Sequence, residues 1–151
     1  MAISKYNSEG YHDPTTYEAL KIIEKEERAA KRAANLHKPD EFIPLVYICS
    51  PYRGDITENV KKARKYSRFA IESKAIPMAP HLLYPQFMDD SNLEERYLAT
   101  HIINYVLVGK CQEMWIFGDD ISEGMAREIV LAKRRRMKIR CFTEDLEETK
   151  R

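Results

Sequence analysis

Glycine is scarce in this chain, with five residues in 151, and cysteine scarcer still, with three. So little glycine excludes collagen-like and Gly-rich low-complexity classes. Cys49, Cys111 and Cys141 lie far apart and are odd in number. They form no Cys-x-x-Cys or Cys/His cluster, so neither a zinc site nor a disulfide framework is indicated. They read as small buried thiols of a reduced, cytoplasmic protein. Neither charge is in excess: 25 Lys and Arg face 24 Asp and Glu. That removes the general electrostatic case for nucleic acid or a membrane surface as a partner. No apolar run reaches membrane-spanning length, and the start of the chain, Met1 to Lys5, lacks the apolar core of a signal peptide.

The length suits one domain of ordinary size, with a core that needs no staple. Two regions differ in composition, 1–44 and 45–151. From Pro14 to about Leu36 the residues are mainly Ala, Glu, Lys and Arg. Tyr17, Leu20 and Ile23 recur at helical spacing, and Thr15 or Thr16 is placed to cap the helix. Its later half is charged, which favours a solvated helix over a subunit contact or lid. His37-Lys38-Pro39-Asp40 reads as a linker.

Beyond it, strands and helices alternate. Short apolar runs predict strands at Leu45–Cys49, Ala75–Met78, Glu113–Phe117 and Lys138–Phe142. Pro77 places the second of these at a sheet edge. Helical spacing predicts Ile56–Ser73, with Ile56, Val60, Ala63, Ser67, Ala70 and Ile71 on its inner stripe. A second helix, Leu93–Val108, is apolar nearly all round after Ile102, so it is expected to be buried. Its stripe of Leu93, Tyr97, His101 and Tyr105 reads as core. The third helix is Ser122–Arg136. Pro80–Asn92 reads as a loop, and the end of the chain as an acidic tail. The expected fold is α/β: a three-layer α/β/α sandwich on a parallel sheet of four or five strands, flavodoxin- or Rossmann-like, with an N-terminal helical extension. Ligands bind such sheets beyond the carboxyl ends of the strands. Three segments should meet there: Ser50–Asp55, Ala79–Phe87 and Gly118–Glu128.

The third segment holds the clearest chemistry. Ser122-Glu123-Gly124-Met125-Ala126-Arg127-Glu128 follows a strand and opens a helix. Ser122 can cap the helix and share an anion with its free N–H groups. Gly124 admits a ligand close to the backbone. Glu128 lies about 9 Å further along the axis, and its side chain leans back toward the anion site. That separation suits a nucleotide, phosphate at the helix start and sugar over the carboxylate. The alternative for Glu128 is a salt bridge to Arg127, Lys133 or another base. In Ser50-Pro51-Tyr52-Arg53-Gly54-Asp55, Arg53 offers a planar fork for phosphate or carboxylate, and Tyr52 a ring to stack on. His81 ends the second strand, where a lone histidine is more often structural than catalytic. The basic run Lys133–Arg136 sits at a helix C-terminus, where the dipole favours cations.

Together these residues resemble the nucleoside 2-deoxyribosyltransferase superfamily, which includes the 2'-deoxynucleoside 5'-phosphate N-hydrolases and many phage and mobile-element proteins. The resemblance covers about Leu45 to Phe142. It rests on Ser-x-Gly-x-small-x-Glu, met by Ser122, Gly124, Ala126 and Glu128, on Ser50-Pro51-Tyr52-Arg53-Gly54, and on Pro80-His81. It implies cleavage of an N-glycosidic bond or deoxyribosyl transfer, with Glu128 as nucleophile, no metal and no organic cofactor. It further implies that Ser50, Tyr52, Arg53, Gly54, His81, Asn104, Gly118, Ser122, Gly124 and Met125 bind a nucleoside or its 5'-monophosphate. Ser122, where transferases of free nucleosides typically carry Asp, points to the monophosphate. Two positions depart from the pattern: Asn104 stands where the superfamily usually has Asp, and Gln112 where it has another. A nucleotide-binding protein without turnover is therefore the second reading. The superfamily also implies a homo-oligomer.

Overall fold

The computed structural model describes residues 5, 6, 9–36 and 41–150. The linker at His37–Asp40 and the first four residues lie outside them. The chain divides into two compact units, one ending at Phe42 and the other beginning at Ile43.

In the first unit Tyr6 and His12 form an antiparallel bridge, and α1 runs over Pro14–Leu36. Asp13 caps this helix, in place of Thr15 or Thr16. It accepts from the Thr16 backbone N–H at 3.0 Å and from the Thr16 hydroxyl at 2.6 Å. A carboxylate has two oxygens for the free N–H groups and their neighbours, where a hydroxyl has one. Glu24 and Arg28 pair at 2.5 Å along the exposed face.

The second unit carries β1 (Leu45–Cys49), α2 (Ile56–Glu72), β2 (Ile76–Met78), α3 (Pro80–Leu83), α4 (Leu93–Tyr97), α5 (Asn104–Lys110), β3 (Glu113–Phe117), α6 (Glu123–Arg134), β4 (Lys138–Phe142) and β5 (Glu148–Thr149). A π-helical segment, Leu98–Ile103, joins α4 to α5. The sheet order is β2-β1-β3-β4-β5. The first four strands are parallel and β5 is antiparallel. Pro77 sits on the edge strand, as its missing N–H requires.

Strand side chains alternate between two clusters. Val46, Ile48, Trp115, Phe117 and Phe142 pack with Tyr66 and Ala70 of α2. Tyr47, Cys49, Met114, Ile116 and Cys141 pack with Val108 of α5 and with Met125 and Ala132 of α6.

Other expectations change as well: the loop expected over Pro80–Asn92 opens with the helical turns Pro80–Leu83 and Tyr84–Gln86. The inner stripe of α2 is Ala63, Tyr66 and Ala70, while Ile56 and Ile71 are about half exposed. Tyr66 wins its place because its ring stacks on Phe117, centroids 4.2 Å apart and planes 8° apart. The helix after Leu93 is not buried all round: Ile102 is 50 % exposed and Tyr105 54 %, and Val108 is the one residue of α5 that is fully buried. Val108 faces the sheet, and Ile102, Tyr105 and Val106 are about half exposed. The stripe of Leu93, Tyr97, His101 and Tyr105 is exposed rather than core. Finally, the acidic tail holds β5. Arg140 donates twice to Glu148, both bonds 2.8 Å, while its guanidinium lies over Trp115 and Phe142.

Tyr66→Ala should cost about 3–5 kcal/mol, as large aromatic truncations in cores do. Ile71→Ala should stay within about 0.5 kcal/mol, as exposed substitutions do. Urea unfolding followed by the single tryptophan compares them, and equal losses would contradict this packing.

Candidate active site

The order of the strands reverses between β1 and β3, which opens a crevice beyond their carboxyl ends. A cleft of about 500 Å³ lies there. Ser50, Tyr52 and Arg53 line it from the end of β1, Pro80, His81 and Tyr84 from the end of β2, and Ser122, Gly124, Met125 and Glu128 from α6. A fourth wall comes from Arg96, Thr100, His101 and Asn104 on the helix that runs from α4 to α5.

Glu128 stands where three elements meet. Tyr47 of β1 is buried, and its hydroxyl donates to Glu128 Oε1 at 2.8 Å. Asn104, the first residue of α5, donates through Nδ2 to the same oxygen at 3.1 Å. Neither bond engages Oε2. Burial raises the carboxyl from 4.5 to about 7, although bonds from Tyr47, Cys49 and Asn104 favour the charged form. Burial, and then the charge of Glu128, push the Tyr47 hydroxyl and the Cys49 thiol well above their ordinary values. The neighbouring cation does not neutralise Glu128, because Arg127 pairs with Glu123 one turn earlier. The salt-bridge alternative to Arg127 is therefore not realised.

Ser122 caps α6 in extended conformation, its Oγ accepting from the Met125 N–H at 3.3 Å. The N–H groups of Glu123 and Gly124 are left without carbonyls in the helix. A Cβ at Gly124 would meet nothing nearer than Ser122 Oγ at 4.0 Å, so the glycine borders open space.

Beyond β1, Ser50, 7 % exposed, sits with its Oγ 3.1 Å from His81 Nε2. Burial lowers His81 to about 4, so the ring is uncharged at neutral pH. The Tyr52 ring tilts against it, 6.2 Å between centroids. Asn59 holds this loop by donating to the carbonyls of Tyr52 at 3.2 Å and Arg53 at 2.8 Å. The Arg53 side chain is exposed.

Gly54 and Gly118 do not line the cleft. Both take left-handed φ angles, 93° and 88°, and serve their turns. Gln112 sits at the opposite end of the sheet. Its side-chain oxygen accepts from the Leu45 N–H at 2.6 Å, tying the starts of β1 and β3. Sequence reasoning missed Tyr47, whose strand pattern signals only core. It assigned His101 to core, and it singled out neither Arg96 nor Thr100. Among the described residues no group of three or more His, Cys, Asp or Glu is placed to hold a metal ion.

Residues 44–142 match a family described as a domain of unknown function, DUF7768. The chain belongs to the DUF7768 family. The match begins just before β1 and ends with β4, so the DUF7768 domain contains the whole cleft and excludes α1. No curated protein matches the chain.

Between pH 4.5 and about 7 the folded DUF7768 domain holds a proton on Glu128 that the unfolded chain has lost. Stability linked to this group therefore falls as pH rises through that interval. Glu128→Gln should raise the melting temperature by an increment that grows from pH 4.5 to about 7 and then levels. An increment that does not change with pH would contradict the burial of this carboxyl.

Proposed function

We propose that the protein cleaves, or transfers through, the N-glycosidic bond of a deoxynucleoside 5'-monophosphate or its nucleoside, with Glu128 as nucleophile. One observation carries this reading. The cleft holds a buried carboxylate whose bonds from Tyr47 and Asn104 both go to Oε1, within a nucleotide's length of a capped helix N-terminus. Ser122 and the start of α6 take the phosphate, with Arg53 as a mobile cation at the rim. The sugar lies over Glu128, and the amide oxygen of Asn104 accepts from a hydroxyl. The uncharged end at Ser50, Tyr52 and His81 suits a neutral planar base. The helix-bearing clusters on both sheet faces support a three-layer arrangement of the domain.

A second reading has its own observation. Glu128 is pushed up to about 7, and its α5 partner is a neutral amide, which suits a protein that binds nucleotide without turnover.

A panel of deoxynucleosides and their monophosphates, assayed for free base, separates the two. The catalytic reading expects release that Glu128→Ala lowers by about 10³-fold or more. Release that survives this substitution contradicts it. The binding reading expects no release, with a nucleotide-induced rise in melting temperature that Arg53→Ala abolishes.

We also propose a homo-oligomer. Residues 97–109 carry no Asp, Glu, Lys or Arg, and Tyr97, Leu98, Ile102, Tyr105 and Val106 are each 41 % to 58 % exposed. An uncharged apolar face of this kind is rarely left to water. Ile102→Glu should turn the assembled species into a monomer in sedimentation experiments. A wild-type monomer would contradict the proposal.

A further inference from the structure

N-glycosidic cleavage through a carboxylate moves two protons. The departing base nitrogen gains one, and the water that attacks the glycosyl-enzyme loses one. Retaining glycosidases route both through a second carboxyl about 5 Å from the first. Beside Glu128 that place is held by the Asn104 amide, which has no proton to transfer at neutral pH. Glu123 is paired with Arg127, and Asp90 is an exposed carboxylate.

Two imidazoles line the cleft. His81 is committed through Nε2 to Ser50, in surroundings that oppose its charge. His101 is different. It is exposed, in the π-helical segment Leu98–Ile103. The Thr100 hydroxyl donates to the Arg96 carbonyl at 2.8 Å and lies 2.8 Å from His101 Nδ1. The hydroxyl has one hydrogen and the carbonyl can only accept, so Nδ1 carries the ring proton and donates to Thr100. That leaves Nε2 as the nitrogen that can take up and release a proton. Tyr97 stacks on the ring, centroids 4.4 Å and planes 12° apart, and fixes its plane. Asn104, which bonds Glu128, follows about 4.5 Å along the helix axis. The charged and titratable groups that share this part of the cleft are Tyr84, Asp90, Arg96, Glu123 and Arg127.

We propose that His101 is a catalytic residue of this site, carrying the proton between leaving base and attacking water. The inference rests on the N-glycosidic reading above. Glu128 Oε2 bonds to the anomeric carbon as the carbon–nitrogen bond breaks. The electron pair goes to the base nitrogen, which takes the Nε2 proton of the imidazolium form of His101 and leaves the ring neutral. Water then attacks the anomeric carbon, Glu128 departs, and neutral His101 removes the water proton. Each cycle returns both side chains to their starting states.

The test compares His101→Gln with wild type on two substrates. One is an unmodified purine deoxynucleotide. The other is its 7-methylguanine counterpart, whose ring is already positively charged and departs without a proton. Single-turnover base release from the unmodified substrate should fall about 10²- to 10⁴-fold. Release from the methylated one should stay within a few-fold of wild type, which also shows that the variant is folded. Unchanged release from the unmodified substrate, or equal losses on both, overturns the role of His101 alone. A wild type that releases base from neither substrate overturns the N-glycosidic reading, and this inference with it.

Discussion

The hydrogen bond from the buried Tyr47 hydroxyl to Glu128 is the contact on which the rest of the site depends. It joins β1, an inner strand of the sheet, to α6, and Asn104 brings α5 to the same oxygen. A carboxylate taken this far from water would ordinarily be paired with a cation. Here it is met by neutral donors, and its own burial outweighs them, so it sits near the boundary between acid and base. That is a cost to stability that packing alone would not retain, and perturbed groups of this kind gather where chemistry is done.

The topology explains why this tension falls where it does. The crossover from β1 runs to β2 on one side, and the next returns past β1 to β3 on the other. The loops at the strand ends therefore part and open the crevice. The start of α6, with its unpaired N–H groups, the uncharged Ser50–His81 pair and Glu128 then line one cleft. The helix start suits an anion and the uncharged pair a neutral ring. A nucleotide has both, joined by the sugar whose bond the carboxylate would attack.

Much of the fold was legible in the residues. β1, β3 and β4 are short apolar runs bounded by turn residues, and their predicted limits match the observed ones. The edge position of β2 followed from Pro77. β5 was invisible because two residues, Glu148 and Thr149, have no pattern; an Arg140 fork and an antiparallel partner make the strand. In α2, spacing alone could not show that an aromatic stack would bury Tyr66 while Ile71 faced outward. The site divides similarly. Ser122, Gly124 and Glu128 are neighbours in sequence, and helix geometry brings them to the cleft together. Tyr47 and Asn104 reach Glu128 from 81 and 24 residues away, and only the packed sheet puts them there. His101 was assigned to core because it shares a stripe with Leu93, Tyr97 and Tyr105, whereas that stripe is exposed and His101 lines the cleft.

The central claim is that Glu128 forms a covalent bond to the sugar. A nucleoside with fluorine in place of the 2'-hydrogen makes the second step slow, because fluorine destabilises the positive charge that develops at the anomeric carbon. Incubation with such a substrate, followed by mass spectrometry of the intact chain and its peptides, tests the claim directly. The account predicts one fluorinated sugar per chain, on the peptide that contains Glu128. Base release with no adduct, or an adduct on any other residue, would contradict it.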